Sequence, residues 1–166
     1  MLEGIRFAVL TISDRSSRGE RADESGPLLR RIVLESGGEV VLAEILPDER
    51  AAIRAELERI SDGGLADIVL TTGGTGFAPR DVTPEATKDV MDREAPGLVE
   101  AMRAASQKKT ATAMLSRAAA GIRKATLIVN LPGSPRAARE NLEIVLPALA
   151  HAVELLKGFA GDCGKP

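Results

Sequence analysis

Apolar residues in this chain gather in two kinds of segment. Four short runs, Arg6 to Ile12, Val40 to Leu46, Ile68 to Thr72 and Thr126 to Leu131, carry mostly consecutive apolar positions. Consecutive rather than alternating apolar residues predict strands of a parallel sheet covered on both faces. Between the runs, apolar residues recur at helical spacing. Leu28, Leu29, Ile32 and Val33 form one stripe that stops at Gly37-Gly38, and Ile53, Leu57 and Ile60 form another that ends at Gly63-Gly64. Glycine just past the last periodic residue is a helix terminator. Leu98, Met102 and Ala105 predict a third helix; Leu142, Val145, Leu149, Val153 and Leu156 predict a fourth, in which Pro147 either kinks the helix or starts a new one. Ala118 to Ile122 reads as a short edge strand. Strand and helix alternate, so the predicted fold class is α/β, with helices on both faces of a mostly parallel sheet.

Composition narrows the functions. The 166 residues fit one domain, 1–166, with a core of about 5–158 and a glycine-rich tail that is expected to fray. Lys and Arg total 22 against 24 Asp and Glu, a net charge of -2, and there is no Trp or Tyr. A nucleic-acid binder would carry a basic face and stacking aromatics, so that class is excluded. One cysteine, Cys163, and one histidine, His151, cannot build a disulfide framework or a zinc cluster, and neither lies near a strand-end loop. No apolar run approaches the roughly 20 residues that span a bilayer, and Met1 to Arg6 do not read as a leader. A cytoplasmic protein without membrane or nucleic-acid partners is the expectation.

In an open α/β sheet, ligands bind outside the carboxyl ends of the strands. The loops there hold Ser13-Asp14, Pro47-Asp48, Gly73 through Asp81, and Pro132-Gly133-Ser134-Pro135. Gly73, Gly74 and Gly76 around Thr75 let backbone N–H groups converge on an anion. The segment is neither a Walker loop nor a dinucleotide fingerprint, and Gly-Gly-Thr-Gly alone also suits a plain tight turn. Thr83-Pro84 resembles a helix N-cap followed by proline at the first position. Asp48 and Asp81 are the candidate metal pair, since Mg²⁺ takes one or two carboxylates plus waters and phosphates. Each aspartate also fits a helix N-terminus. Ser134 and the helix after it suit a second phosphate or an ordinary turn. Lys108-Lys109 reads as a solvated face, and Arg117 is a cation whose partner the sequence leaves open.

The run Thr71 to Thr87, TTGGTGFAPRDVTPEAT, resembles the molybdopterin adenylyltransferases, which include bacterial MogA-type proteins and the G domains of the plant enzyme and of gephyrin. Met114 through Pro135, Arg93 to Gly97 and Ser13-Asp14-Arg15 are similar to the same family, so the resemblance covers about Arg6 to Gly158. It implies a three-layer α/β/α domain, commonly a homotrimer. It also implies an enzyme of molybdenum cofactor biosynthesis that uses ATP and Mg²⁺ to attach AMP to the terminal phosphate of molybdopterin, releasing pyrophosphate. The family's functional aspartates fall on Asp48 and Asp81. Its phosphate and pterin contacts fall on Ser13, Asp14, Gly73, Gly74, Thr75, Gly76, Ser116, Pro132, Gly133 and Ser134. A transient contact with the molybdate-inserting enzyme is implied as well.

Rival readings are a MoaB-type paralog that binds molybdopterin without adenylylating it, a scaffolding module of the same fold, and an unrelated phosphate-binding enzyme. Pro79 through Pro84 favours the active branch of the resemblance. The second block, Leu115 to Pro135, would be a coincidence in an unrelated enzyme.

Overall fold

The computed structural model describes residues 1–158. Six strands form one sheet: β1 (Arg6–Ile12), β2 (Glu39–Leu46), β3 (Ile68–Thr72), β4 (Arg93–Glu94), β5 (Ala120–Arg123) and β6 (Thr126–Leu131). Their spatial order is β2-β1-β3-β6-β5-β4. The β1–β2, β1–β3 and β3–β6 pairs are parallel, while β5 runs antiparallel to β6 and to β4. The helices are α1 (Asp14–Ser17), α2 (Ser25–Glu35), α3 (Arg50–Asp62), α4 (Thr83–Val90), α5 (Pro96–Gln107) and α6 (Pro135–Leu156).

Alternation along the strands builds the three layers. Phe7 and Val9 of β1 join Leu29, Val33, Met102, Leu142 and Leu149, so α2, α5 and α6 cover one face. Ala8 and Leu10 join Ile53, Leu57, Ile60, Ala86 and Val90, so α3 and α4 cover the other. Helices on both faces are therefore what the apolar runs predicted, and the three-layer α/β/α architecture is the one the resemblance implied. Ile53, Leu57 and Ile60 have no solvent exposure; burying each contributes about 2 kcal/mol, which docks the otherwise charged α3.

Three expectations need correction. β2 is an edge strand rather than a strand covered on both faces. It has no strand partner on its outer side among the described residues, and Glu39, Val41, Ala43 and Ile45 are exposed in alternation with half-buried neighbours, because at this margin of the sheet the covering layer leaves one face open. The strand predicted over Ala118 to Ile122 exists as β5 but is not the edge; the two-residue β4 takes that position. Of the two roles open to Pro147, it does not start a new helix. It lies inside an unbroken helix at an exposed position, four residues after exposed Glu143, whose freed carbonyl water can serve. Residues 159–166, including the predicted frayed tail and Cys163, lie outside the described residues.

Candidate functional site

β1 leads through α2 to β2 on one side, while β3 lies on the other side of β1. The carboxyl ends of β1 and β3 thus flank a topological switch point, where such sheets bind ligands. The loop after β3 is held there by backbone geometry. Gly73 and Gly74 have φ of 105° and 65°, a region that side chains resist. A Cβ on Gly73 would also sit 2.2 Å from the Ile12 carbonyl oxygen, and one on Gly74 2.3 Å from Thr83 Oγ1. Thr83 does not cap its helix as predicted: Val82 stands at the cap without a side-chain bond. Thr83 Oγ1 instead donates to the Gly73 carbonyl (2.9 Å), and its N–H donates to the Gly74 carbonyl (3.1 Å). Pro84 accordingly stands at the second position of α4 rather than the first, still within the opening turn where a missing N–H costs nothing.

Both candidate aspartates lie against this loop. A Cβ on Gly74 would be 3.0 Å from Asp48 Oδ1, and one on Gly76 2.9 Å from Asp81 Oδ2. Asp48 Oδ2 accepts the Asp14 N–H at 2.8 Å, and the Asp48 N–H returns a bond to Asp14 Oδ1 at 3.1 Å. Asp14 is further clamped by Arg80, whose Nη2 donates to Oδ1 at 3.0 Å. That pairing holds the Asp14 carboxyl below its ordinary range. Burial, with the nearby Asp14 and Asp81 charges, pushes the Asp48 carboxyl up. Asp81 Oδ2 accepts the Ala78 N–H at 2.9 Å, closing its own turn.

Arg117, whose partner the sequence left open, staples the far side of the loop. Its N–H donates to the Thr75 carbonyl (2.9 Å), its Nε to the Gly76 carbonyl (2.8 Å) and its Nη2 to the Asp81 carbonyl (2.7 Å), while Nη1 pairs with Glu85. The guanidinium is therefore spent on positioning loop backbone.

Two clefts meet at this loop. One, of about 370 Å³, is lined by Ser13, Asp48, Gly73, Gly74, Asp81, Gly133 and Ser134. The other, of about 260 Å³, opens between α5 and α6 and takes in Thr75, Gly76, Ser116 and Pro132. The Gly73 and Pro132 loops run side by side between them: a Cβ on Gly133 would lie 3.2 Å from Gly73 Cα. Thr72 Oγ1 donates to the Pro132 carbonyl at 2.7 Å, and Ser25 Oγ to the Gly133 carbonyl at 2.7 Å. Ser13 and Ser134 cap α1 and α6, accepting from the N–H groups of Ser16 and Ala137.

Every sequence-predicted site residue except Asp14 lines one cleft or the other, and Asp14 touches Asp48 directly. His151 lies exposed on α6, away from both clefts. Sequence reasoning missed Asp23, which accepts from Thr11 Oγ1 at 2.7 Å beside the larger cleft, and Arg103, Ser106 and Asn141 in the smaller one. The charged stretch after β1 hinted at Asp23; the α5 and α6 residues carry no motif. Lys109, read as part of a solvated face, lines the smaller cleft and pairs with Glu140 at 3.2 Å.

The donors suit a hard cation sparingly. Asp48 Oδ1 and Asp81 Oδ1 accept no hydrogen bond from described residues. No group of three or more His, Cys, Asp or Glu among the described residues is arranged around a metal. Two carboxylate oxygens beside an anion nest fit an ion that completes its shell with water and phosphate.

The family model described as "Probable molybdopterin binding domain" matches residues 8–151, and the chain belongs to that family. It is 44% identical to the molybdopterin adenylyltransferase of Helicobacter pylori strain J99, over 95% of this chain and 90% of that one. It is 45% identical to the molybdenum cofactor synthesis protein cinnamon of Drosophila melanogaster, over 93% of this chain but only 26% of cinnamon's length. The crystal structure of the molybdopterin biosynthesis enzyme MoaB from Thermus thermophilus superposes with a TM-score of 0.88 at 49% identity, covering 93% of this chain and 97% of that one. No helix among the described residues is long and apolar enough to cross a membrane.

Proposed function

We propose that this chain is a molybdopterin adenylyltransferase, moving AMP from ATP to the terminal phosphate of molybdopterin and releasing pyrophosphate. The observation that carries this reading is the glycine loop with Asp48 and Asp81 against it, placed between two clefts that share it. Two ligands held on either side would bring their phosphates to one nest.

The nucleophile is a phosphate monoester whose second pKa is about 6, so at neutral pH it is largely ionised without a general base. That agrees with a site in which no histidine lines either cleft. The barrier lies in bringing two anions together in line and steadying the charge of the leaving pyrophosphate. Backbone N–H groups of Gly74, Thr75 and Gly76 would supply fixed dipoles for that charge, the Gly73 N–H being taken by the Leu131 carbonyl. Arg80 and the Asp14–Asp48 pair hold Asp48 in place, and Arg117 holds Asp81 through its carbonyl. Mg²⁺ bound by Asp48 and Asp81 would neutralise phosphate charge. A homotrimer in the cytoplasm, handing product to the molybdate-inserting enzyme, completes the reading.

The test is an adenylyl-transfer assay with purified protein, molybdopterin, ATP and Mg²⁺, quantifying nucleotide-bearing pterin after quenching. Product that disappears without Mg²⁺, and in Asp81→Asn, supports the reading. Tight molybdopterin binding with no product would move the chain to a binding role, and unchanged kcat in Asp81→Asn would remove that aspartate from the chemistry.

A further inference from the structure

The smaller cleft holds two polar atoms that no structural role accounts for. Asn141 is 6% exposed and lines the cleft. Its Nδ2 donates to the Ala137 carbonyl (2.8 Å) and to Ser106 Oγ (3.2 Å), which uses both amide hydrogens. The carbonyl partner fixes which amide atom is nitrogen, so Oδ1 is the atom left over, and it accepts nothing from the described residues. Nor is it sealed away, since Ser61 Oγ is the single buried side-chain polar atom without a partner among those residues. Oδ1 therefore reaches the cleft space. Thr75, also 6% exposed, lines the same cleft with a hydroxyl that makes no hydrogen bond to the described residues. The surrounding wall is apolar, with Val99, Met102, Leu115 and Ala118.

An apolar slot with a few isolated polar points binds a flat ring by its faces and reads its edge. An obligate acceptor reads a donor. Resting on the function proposed above, we propose that this cleft holds the aminated nitrogen heterocycle of one substrate, with Asn141 Oδ1 accepting from its exocyclic amine. Both substrates carry such a ring, a 2-aminopterin in one and adenine in the other. Asn141 is then the residue that selects the amine over an oxo group at the same position.

The experiment compares the amino and oxo forms of each ring, on wild type and Asn141→Leu. Calorimetric titration measures ATP against inosine triphosphate, and inhibition of transfer measures 2-amino-4-oxopteridine against 2,4-dioxopteridine. Wild type should prefer the amino form of one pair by about five- to tenfold, the worth of one neutral hydrogen bond, and the leucine variant should lose that preference. Whichever pair responds names the ring. A misfolded or loosened variant would weaken both members equally, so the ratio is the readout; Asn141→Ser, which is smaller and lacks the reach, gives the same loss if the leucine does not fold. A preference that survives in both variants, or is absent from wild type in both pairs, overturns the inference while leaving the enzyme reading intact. Wild type that binds neither substrate overturns both.

Discussion

Asp48 sits where charge is costly. Burial and two neighbouring carboxylates raise its pKa, so the folded chain holds that proton more tightly than the unfolded chain does. Ionising it at neutral pH therefore costs stability, a cost that fades as pH falls and the group protonates. Asp48→Asn keeps an oxygen for the Asp14 N–H. Its Tm at pH 7 should equal or exceed that of wild type, the difference should shrink toward pH 4, and transfer should fall at least about 100-fold if the carboxylate neutralises phosphate charge. Calorimetry across pH beside the transfer assay checks both halves; a clear loss of Tm at pH 7 would make Asp48 structural. Asp48 and Asp81 were legible in the sequence because carboxylates in strand-end loops are rare enough to notice. Arg80 and Arg117 were visible only as nearby cations, since their partners Asp14 and the Gly76 and Asp81 carbonyls lie far away in the chain.

At the scale of elements, the loop from Gly73 to Asp81 is fastened from both ends, by Thr83 and by Arg117. Phe77 to Arg80 between them are exposed, so fastening rather than packing holds their shape. Arg117→Lys keeps the charge but cannot span Gly76, Asp81 and Glu85 together. Transfer should drop by roughly tenfold or more, as expected when a positioning group is lost, with faster amide exchange confined to residues near 76–81. Exchange unchanged there would show that the loop holds itself. The glycine loop could be read from sequence because its φ values demand glycine. The edge position of β2 could not, because an apolar run looks the same whether a neighbouring strand is present or missing. β4 escaped notice for a related reason: two exposed residues carry no period at all.

For the whole molecule, strands and covering helices followed from apolar spacing, whereas strand order depended on long-range pairing that spacing does not encode. One long-range tie anchors the end opposite the site. Asp67, nearly buried, accepts from the Arg6 N–H and guanidinium and pairs with Lys157 at the end of α6. Burial pushes its carboxyl up, but Arg6 and Lys157 outweigh it and hold the pKa below the usual range. A depressed folded pKa gives stability that is present above the ordinary carboxylate range and lost as pH falls through the folded value. Asp67→Asn should cost about 2–3 kcal/mol at pH 7, less than a fully buried pair because both cations keep solvent. Urea unfolding should show that gap closing as pH falls below the ordinary aspartate range; a gap of the same size in strong acid would mean that lost packing, not charge, is responsible.

Gly73 and Gly133 meet in the wall of the larger cleft, and Thr75, Gly76 and Pro132 carry the same two loops on into the smaller one. In many transferases two lobes must swing shut before the reactants meet. In the function proposed above, the encounter distance would instead be set in advance by two loops at one edge of the sheet, and the high effective molarity of the reacting groups would be a property of the resting fold. Turnover should then be insensitive to solvent viscosity up to the point where product departure limits it. The absence of side chains at those two glycines is what lets the two loops lie against each other.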